Sequence, residues 1–492
     1  MAESYSYGGL LLLIGAVGVL AVLAGRITQR VPVPAPALLL GGTAVAVQLL
    51  PGLHRLAAGS ADRVVTVALI LILFDGGRQL GWSSSSRAAR PIVLTGVLGT
   101  FLTAAGGALV AHLLGLPWYP ALLVGVAIAP TDPAVVFSVL GQREISGASG
   151  TILQGESGAN DPVGIALMAS LLSAGQLSGS ALGSAAGEFL LQLGVGALVG
   201  VLGGRLLLVF SRRVRLPTAG LYPVRTLAGS FVLFGAATLA HGSGFLAVFI
   251  AGILLGEADL PYQREVEHVH AAAASLGEIV AFVALGMTVD VAELSHRNVW
   301  LPGLVLGVLL TVLVRPLLVG GCLIGSGLAV NERALVLLAG LKGAVPILLG
   351  TFLLDADLPD TERLYGIVVL VVVFSVSVQA TALPAVAAAL KVPMHTIEPQ
   401  PWALGVRLRN APAGAHRLTV TAGSAADGST VAELVRLPET AWISFLVRDG
   451  TLLPVSAGTV LRAGDEVLVL ADPELSGELD ALFGRPGDGV SD

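Results

Sequence analysis

Cysteine is almost missing from this chain. Cys322 stands alone, which excludes a disulfide framework within one copy, and its apolar surroundings suit a small buried hydrophobe. Charge is scarce too: Asp, Glu, Lys and Arg make up 12% of 492 residues, about half the share of a typical soluble domain. The net charge of −6 is too modest to name a partner, and nucleic acid is not expected as one. The sequence has no metal-ligand cluster, no nucleophile motif and no Gly-x-Gly-x-x-Gly after a soluble strand. Neither an enzyme nor a resident cofactor is therefore expected.

What fills the chain instead is oil. Hydrophobic residues reach 54% and the mean hydropathy is +0.85, the balance of a membrane protein whose partner is the lipid bilayer. Stretches of about 20 apolar residues recur as far as Leu390, and about thirteen spans are expected by that length. They cover 8–24, 33–50, 62–80, 91–115, 118–140, 152–173, 185–210, 221–241, 243–256, 271–289, 300–326, 333–354 and 364–390. The first lacks a basic start and is followed by many others, so it reads as a retained helix and not a cleaved signal. Gly194, Gly196 and Gly200 fall in the seventh span, where close helix packing is their reading.

Arginine is distributed unevenly between the links. Arg26, Arg30, Arg87, Arg90, Arg143, Arg205, Arg212, Arg213, Arg215, Arg225, Arg264 and Arg333 lie on one side, whereas the other has only Arg55, Arg63, Arg297 and Arg363. Positive residues stay in the cytoplasm, so the N-terminus is expected outside and the C-terminal tail inside the plasma (inner) membrane. Composition changes after Lys391. We expect a membrane domain over 1–395, a Pro-punctuated linker over 396–404 and a small cytoplasmic α/β domain over 405–486. In that domain Thr430 and Glu433 have the spacing of a capping box. AWISFLV and EVLVLA read as strands around the turn Arg448-Asp449-Gly450, and Asp472-Pro473 starts a last helix.

Two spans carry unusual breakers. In AIAPTDPAVV, Pro130 and Pro133 lack amide donors and push Ala129 and Asp132 away from helical angles, so the fifth span should break around Thr131. In GLKGAVPIL, Gly340, Gly343 and Pro346 predict a similar break in the twelfth. Interrupted helices in corresponding halves point to a transporter's midplane site, and breaks in the fifth helix of 1–6 and of 8–13 fit a six-helix inverted repeat.

The breaks keep charged company. Asp132, Glu156, Asp161, Arg315 and Lys342 all fall inside spans, where a lone charge costs roughly 2.5–3.5 kcal/mol on insertion scales. Three acids and two bases leave one surplus carboxylate for a cation. On a helix Glu156 and Asn160 share a face, as do Ser157 and Asp161, while Glu156 and Asp161 point roughly 140° apart. Asp161 is assigned to the cavity and Glu156 to an ion pair with Lys342 or Arg315. Asp132 and the loosened backbone at Thr131 face the same cavity with hard oxygen ligands. The competing reading, a purely structural ion-pair network, would not need breaks beside Asp132 and Lys342.

Other residues have blander readings. Glu278 snorkels or makes a local hydrogen bond, the alternative being that it tunes the funnel. Asp75 and Arg78 end the third span. His268 and His270, beside Glu265 and Glu267, read as a solvated acidic loop, with cytoplasmic pH sensing as the alternative. A gated cation channel would need a filter that is not seen. An intramembrane aspartyl protease using Asp132 and Asp161 lacks its Gly-x-Gly-Asp pattern, and Asp-Pro at both positions suits broken helices better.

Four motifs, in order, carry a resemblance over about residues 8–390. LILFDGG, APTDPAVV, GESGANDPVGIAL and GLKGAVP resemble motifs of monovalent cation/proton antiporters of the NhaP type. The resemblance implies a thirteen-helix inverted-repeat fold, usually a homodimer, exchanging K+ or Na+ for H+. It implies Asp161 as ion and proton carrier, Thr131, Glu156 and Ser157 near the ion, Asp132 assisting, and Asn160 where electrogenic relatives have a second Asp. Lys342 stands where that family usually has Arg. Residues 428–474, which begin GSTVAELVRLPETAWISFLVRDG, resemble the TrkA-C (RCK-C) module of potassium transporters and channels. Such modules are cytoplasmic and usually pair, and some bind cyclic dinucleotides, chiefly cyclic di-AMP. The expected activity is electroneutral one-for-one exchange, with K+ favoured by the tail.

Overall fold

The computed structural model describes residues 34–49, 55–81, 88–140, 143–145 and 148–396 apart from 259, 357 and 393, then 415–434, 441–448, 451–471 and 475–484, with isolated positions 15, 18, 19 and 86. Most of the expected span 8–24, the linker beyond Thr396, Arg26, Arg30, Arg87, the turn residues Asp449 and Gly450, and Asp472-Pro473 lie outside them. The chain divides into two compact units, Met1–Thr396 and Ile397–Asp492.

The first unit is a helical bundle. Its helices are α1 (Ala35–Leu49), α2 (Ala58–Leu80), α3 (Ala89–Leu113), α4 (Trp118–Ala127), α5 (Pro133–Leu140), α6 (Ala148–Ala174) and α7 (Gly179–Arg213). They continue with α8 (Leu221–Leu239), α9 (Gly244–Gly256), α10 (Gln263–Gly286), α11 (Asn298–Leu323), α12 (Val330–Leu338), α13 (Ala344–Leu354) and α14 (Thr361–Ala389). Among the described residues, α3, α7, α10, α11 and α14 are each long and apolar enough to cross a membrane whole. The protein is thus a multi-pass membrane protein.

Two crossings are made by pairs of short helices, α4 with α5 and α12 with α13, where the proline and glycine clusters foretold breaks. The other Asp-Pro, at Asp161 and Pro162, does not interrupt its helix: α6 runs through it. A single proline inside a helix forfeits one amide donor, and here the packed neighbours of α6 carry the helix past the loss. Gly158, one turn earlier, lies directly under the Phe249 ring of α9. Close packing also explains Gly196 and Gly200, which rest on the backbone of Ser243 and Ala247 at the start of α9. Gly194 does not share that role, because open space surrounds it.

A short antiparallel pair, β1 (Arg143–Ile145) with β2 (Met394–Thr396), joins the link after α5 to the segment after α14. His268 and His270 are not in a loop but in the first turns of α10. His268 is exposed, while His270 is buried, its Nε2 2.8 Å from Thr226 Oγ1. Asp75 pairs with Arg78 at 2.9 Å in the last turns of α2.

The second unit contains β3 (Ala415–Thr419), β4 (Trp442–Arg448), β5 (Thr451–Leu453), β6 (Glu466–Leu470) and α15 (Ser476–Phe483). The strands form an antiparallel sheet in the order β3-β6-β4-β5. Leu446, Val467, Val469, Leu479 and Phe483 lie in its core. The capping box at Thr430 and Glu433 is formed, but around a single 3-10 turn, Val431–Glu433. Asp465 closes the turn before β6. Burial alone would raise its carboxyl, but hydrogen bonds from the Arg448 guanidinium and the Arg462 amide prevail and hold it below the usual carboxylate range.

A carboxylate depressed in the folded state stabilises above its unfolded pKa of about 3.9, and the benefit is lost as pH falls through the folded value. Hydrogen exchange of the β6 amides in the full chain should therefore accelerate as pH drops below about 4, beyond the intrinsic pH trend. Arg448→Met should flatten that acid dependence.

Candidate functional site

The two interrupted crossings meet. Residues 128–132 between α4 and α5, and 339–343 between α12 and α13, approach so closely that the Asp132 amide donates to the Leu341 carbonyl at 2.8 Å. Broken helices free backbone groups that lipid cannot satisfy, and the surrounding side chains account for them in turn. Lys342 Nζ donates to the carbonyls of Ala129 and Pro130, at 2.9 and 3.1 Å. Ser157 Oγ donates to the Thr131 carbonyl at 2.5 Å. Asn160 brackets Thr131, its Oδ1 accepting from the amide at 3.4 Å and its Nδ2 donating to Oγ1 at 2.7 Å.

The second break is dressed the same way. Arg315 Nε donates to the Leu337 carbonyl at 3.1 Å, and Gln379 Nε2 to that of Leu338 at 2.8 Å. Ser375 Oγ accepts the Lys342 amide at 2.8 Å and donates to Gln379 Oε1 at 2.9 Å. Ser375 and Gln379 were not singled out from sequence. Their signal was a polar pair four residues apart, SVSVQ, inside an otherwise apolar last span.

Asp132 sits where two helices begin. Its Oδ1 accepts from the Ala134 amide at 2.9 Å at the start of α5, and the Ala344 amide at the start of α13 also reaches the carboxyl. Both N-termini present positive dipole ends to it. Gly343 allows this approach, because a Cβ there would overlap the Asp132 carboxyl.

Arg315, not Lys342, holds Glu156. The guanidinium Nη2 lies 2.8 Å from Glu156 Oε1, both side chains being 2% exposed. Arg315 leaves a π-helical stretch, Leu310–Val319, that contains Pro316, and passes over Gly340, where a Cβ would overlap it. The long planar fork can thus satisfy a carbonyl and a carboxylate together, whereas the compact ammonium of Lys342 suits two neighbouring carbonyls. Lys342 remains within electrostatic range of Glu156 and Asp161.

Asp161 differs from the other two acids. It is 7% exposed and feels the charges of Asp132 and Lys342; its Oδ1 is buried without a hydrogen-bond partner, as is Glu156 Oε2, but Glu156 has Arg315 on its other oxygen. Among the described residues it receives no hydrogen bond and no ion pair. Ser157, one turn before it on α6, is engaged with the Thr131 carbonyl, and Glu156 is engaged with Arg315.

A helical membrane bundle in which two broken helices cross beside an unpaired buried carboxylate has the architecture of a secondary ion transporter. Comparison with known proteins agrees. A family model described as "Sodium/hydrogen exchanger, transmembrane" matches residues 7–389, and a "TrkA-C domain" model matches residues 415–484. The chain is 30% identical over 435 residues to the K(+)/H(+) antiporter NhaP2 of Shewanella oneidensis, covering 87% of this chain and 74% of that one. It is 28% identical over 335 residues to the Na(+)/H(+) antiporter NhaH of Halobacillus aidingensis, covering 65% and 81%. The solved sodium proton antiporter MjNhaP1 from Methanocaldococcus jannaschii shares the fold, with a TM-score of 0.64 and 23% identity over 75% of this chain and 99% of that one. This chain belongs to the sodium/hydrogen exchanger family and is a cation/proton antiporter of the NhaP type, carrying a TrkA-C domain.

Removing one member of a buried ion pair strands the other. Arg315→Met should lower the stability of the full chain by about 3–5 kcal/mol, read as a fall in melting temperature in detergent. Adding Glu156→Gln should recover part of the loss, because the stranded charge is gone.

Proposed function

We propose that the protein exchanges K+ for H+, one for one, at Asp161 by alternating access. The carrying observation is that Asp161, among the described residues, is buried beside the crossing with no hydrogen bond or ion pair at all, while Glu156 is paired to Arg315 and Asp132 is held by two helix N-termini. A carboxylate can hold a proton or an alkali ion but not both, so competition couples the two flows. With Glu156 matched by Arg315 and Asp132 held by the two helix N-termini, only Asp161 changes charge. The loaded forms are neutral and can cross, whereas the bare carboxylate cannot, which makes exchange electroneutral.

In this reading Thr131 and Ser157 turn oxygens toward the ion as their mutual hydrogen bond loosens. Asn160 steadies the break, where a second Asp would add a second titrating charge, and Asp132 keeps the half-helix ends together. K+ is favoured by the names of the relatives at 30% identity and by the TrkA-C domain. Na+ is the second reading, supported by the relative named a Na(+)/H(+) antiporter. We place the N-terminus outside and the second unit in the cytoplasm. There, as a domain over 405–486 behind a linker over 396–404, it regulates transport, with cyclic di-AMP as the ligand to try first. A homodimer is the assembly we propose.

Fluorescent proton-flux measurements in everted vesicles, with K+, Na+ and Li+ added in turn, test the reading. Asp161→Asn should abolish exchange, and Thr131→Ala should raise the apparent KM for the cation. Exchange by the Asn variant at the normal rate would refute the assignment of Asp161. A current that follows the ion gradient in reconstituted vesicles would refute electroneutrality.

A further inference from the structure

Glu278 is a membrane carboxylate that the ion site leaves unused. Its chain neighbour Gly277 packs on the backbone of Ala68, midway along α2, so Glu278 lies deep in the membrane. It is half-buried and, among the described residues, takes part in no hydrogen bond or ion pair. Snorkelling does not explain it, because a hydrocarbon core about 30 Å thick puts the interface beyond the reach of so short a side chain. A carboxylate at that depth is costly unless it faces water or a charge partner.

Water has a route. Ala271, Ser275, Glu278 and Phe282 follow one another at spacings that keep them on one face of α10. Ala271 and Ser275 are exposed, Glu278 is half-buried, and Phe282 is fully buried. Small side chains thus leave an open stripe from the start of α10 inward, and Phe282 closes it just beyond the carboxylate. Helix α10 packs against α13, the half-helix whose first amide, that of Ala344, reaches the Asp132 carboxyl, and Glu278 and Asp132 are near enough for their charges to interact.

We infer that Glu278 is a positioning residue on the cation's way to Asp161, drawing the ion along the α10 stripe to the crossing. The inference rests on the antiport reading. A fixed negative charge in a narrow vestibule raises the local cation concentration and the rate of loading, so it acts on capture and not on the exchange step itself.

The test uses the full chain in proteoliposomes, with exchange followed against K+ concentration. Glu278→Gln should raise the apparent KM for K+ by about tenfold while Vmax at saturating K+ holds, and Glu278→Asp should restore most of the affinity. Raising ionic strength with choline chloride should narrow the gap between wild type and the Gln variant, because salt screens the charge. An unchanged KM in the Gln variant would overturn the inference while leaving antiport intact. So would an equal loss of Vmax in the Gln and Asp variants, which is the mark of a packing role. An inert wild type would overturn the antiport reading, and this inference with it.

Discussion

A polypeptide that leaves helical geometry inside a membrane must satisfy its own backbone, because lipid offers no hydrogen bonds. Everything near the centre of this protein follows from that constraint. Residues 128–132 and 337–343 free carbonyls and amides at mid-membrane, and the structure meets many of them with named groups: Lys342, Ser157, Asn160, Arg315, Gln379, Ser375 and, between the breaks themselves, Asp132 with Leu341. The polar groups that look out of place in an oily sequence are therefore mostly the dressing of two broken helices.

The same economy distributes charge. Two cations are committed in ways their shapes dictate, the guanidinium of Arg315 bridging a carbonyl and Glu156, and the ammonium of Lys342 taking two adjacent carbonyls. Asp132 is stabilised by two helix N-termini, an arrangement open to a carboxylate but not to a base. Once these commitments are made, Asp161 is the acid without one. Its availability is a remainder left by its neighbours and not a property of its own immediate sequence.

Much of the bundle was legible in the sequence because hydropathy along the chain is a one-dimensional signal. The segments expected from 33–50 to 364–390 each fall on described helices, and the breaks came where prolines remove donors and restrict their predecessors. The reading of Asp161-Pro162 as a break was mistaken, because one proline in a well-packed helix costs a donor without ending the helix. A charged run such as 265–270 resembles a loop in sequence, yet it opens a helix, and tertiary packing draws His270 against Thr226 and Phe74. Gly194, Gly196 and Gly200 looked equivalent in sequence, and only the position of α9 separates them.

The sequence by itself determined that the chain spans a membrane, that two of its crossings are interrupted, and that three acids and two bases are buried with them. Those facts follow from composition and from local backbone chemistry, which act over a few residues. Only the tertiary structure decided who pairs with whom. Whether Arg315 or Lys342 reaches Glu156 depends on which of them passes over Gly340, and contacts between residues 159 positions apart are fixed by how helices cross. No local pattern encodes that geometry.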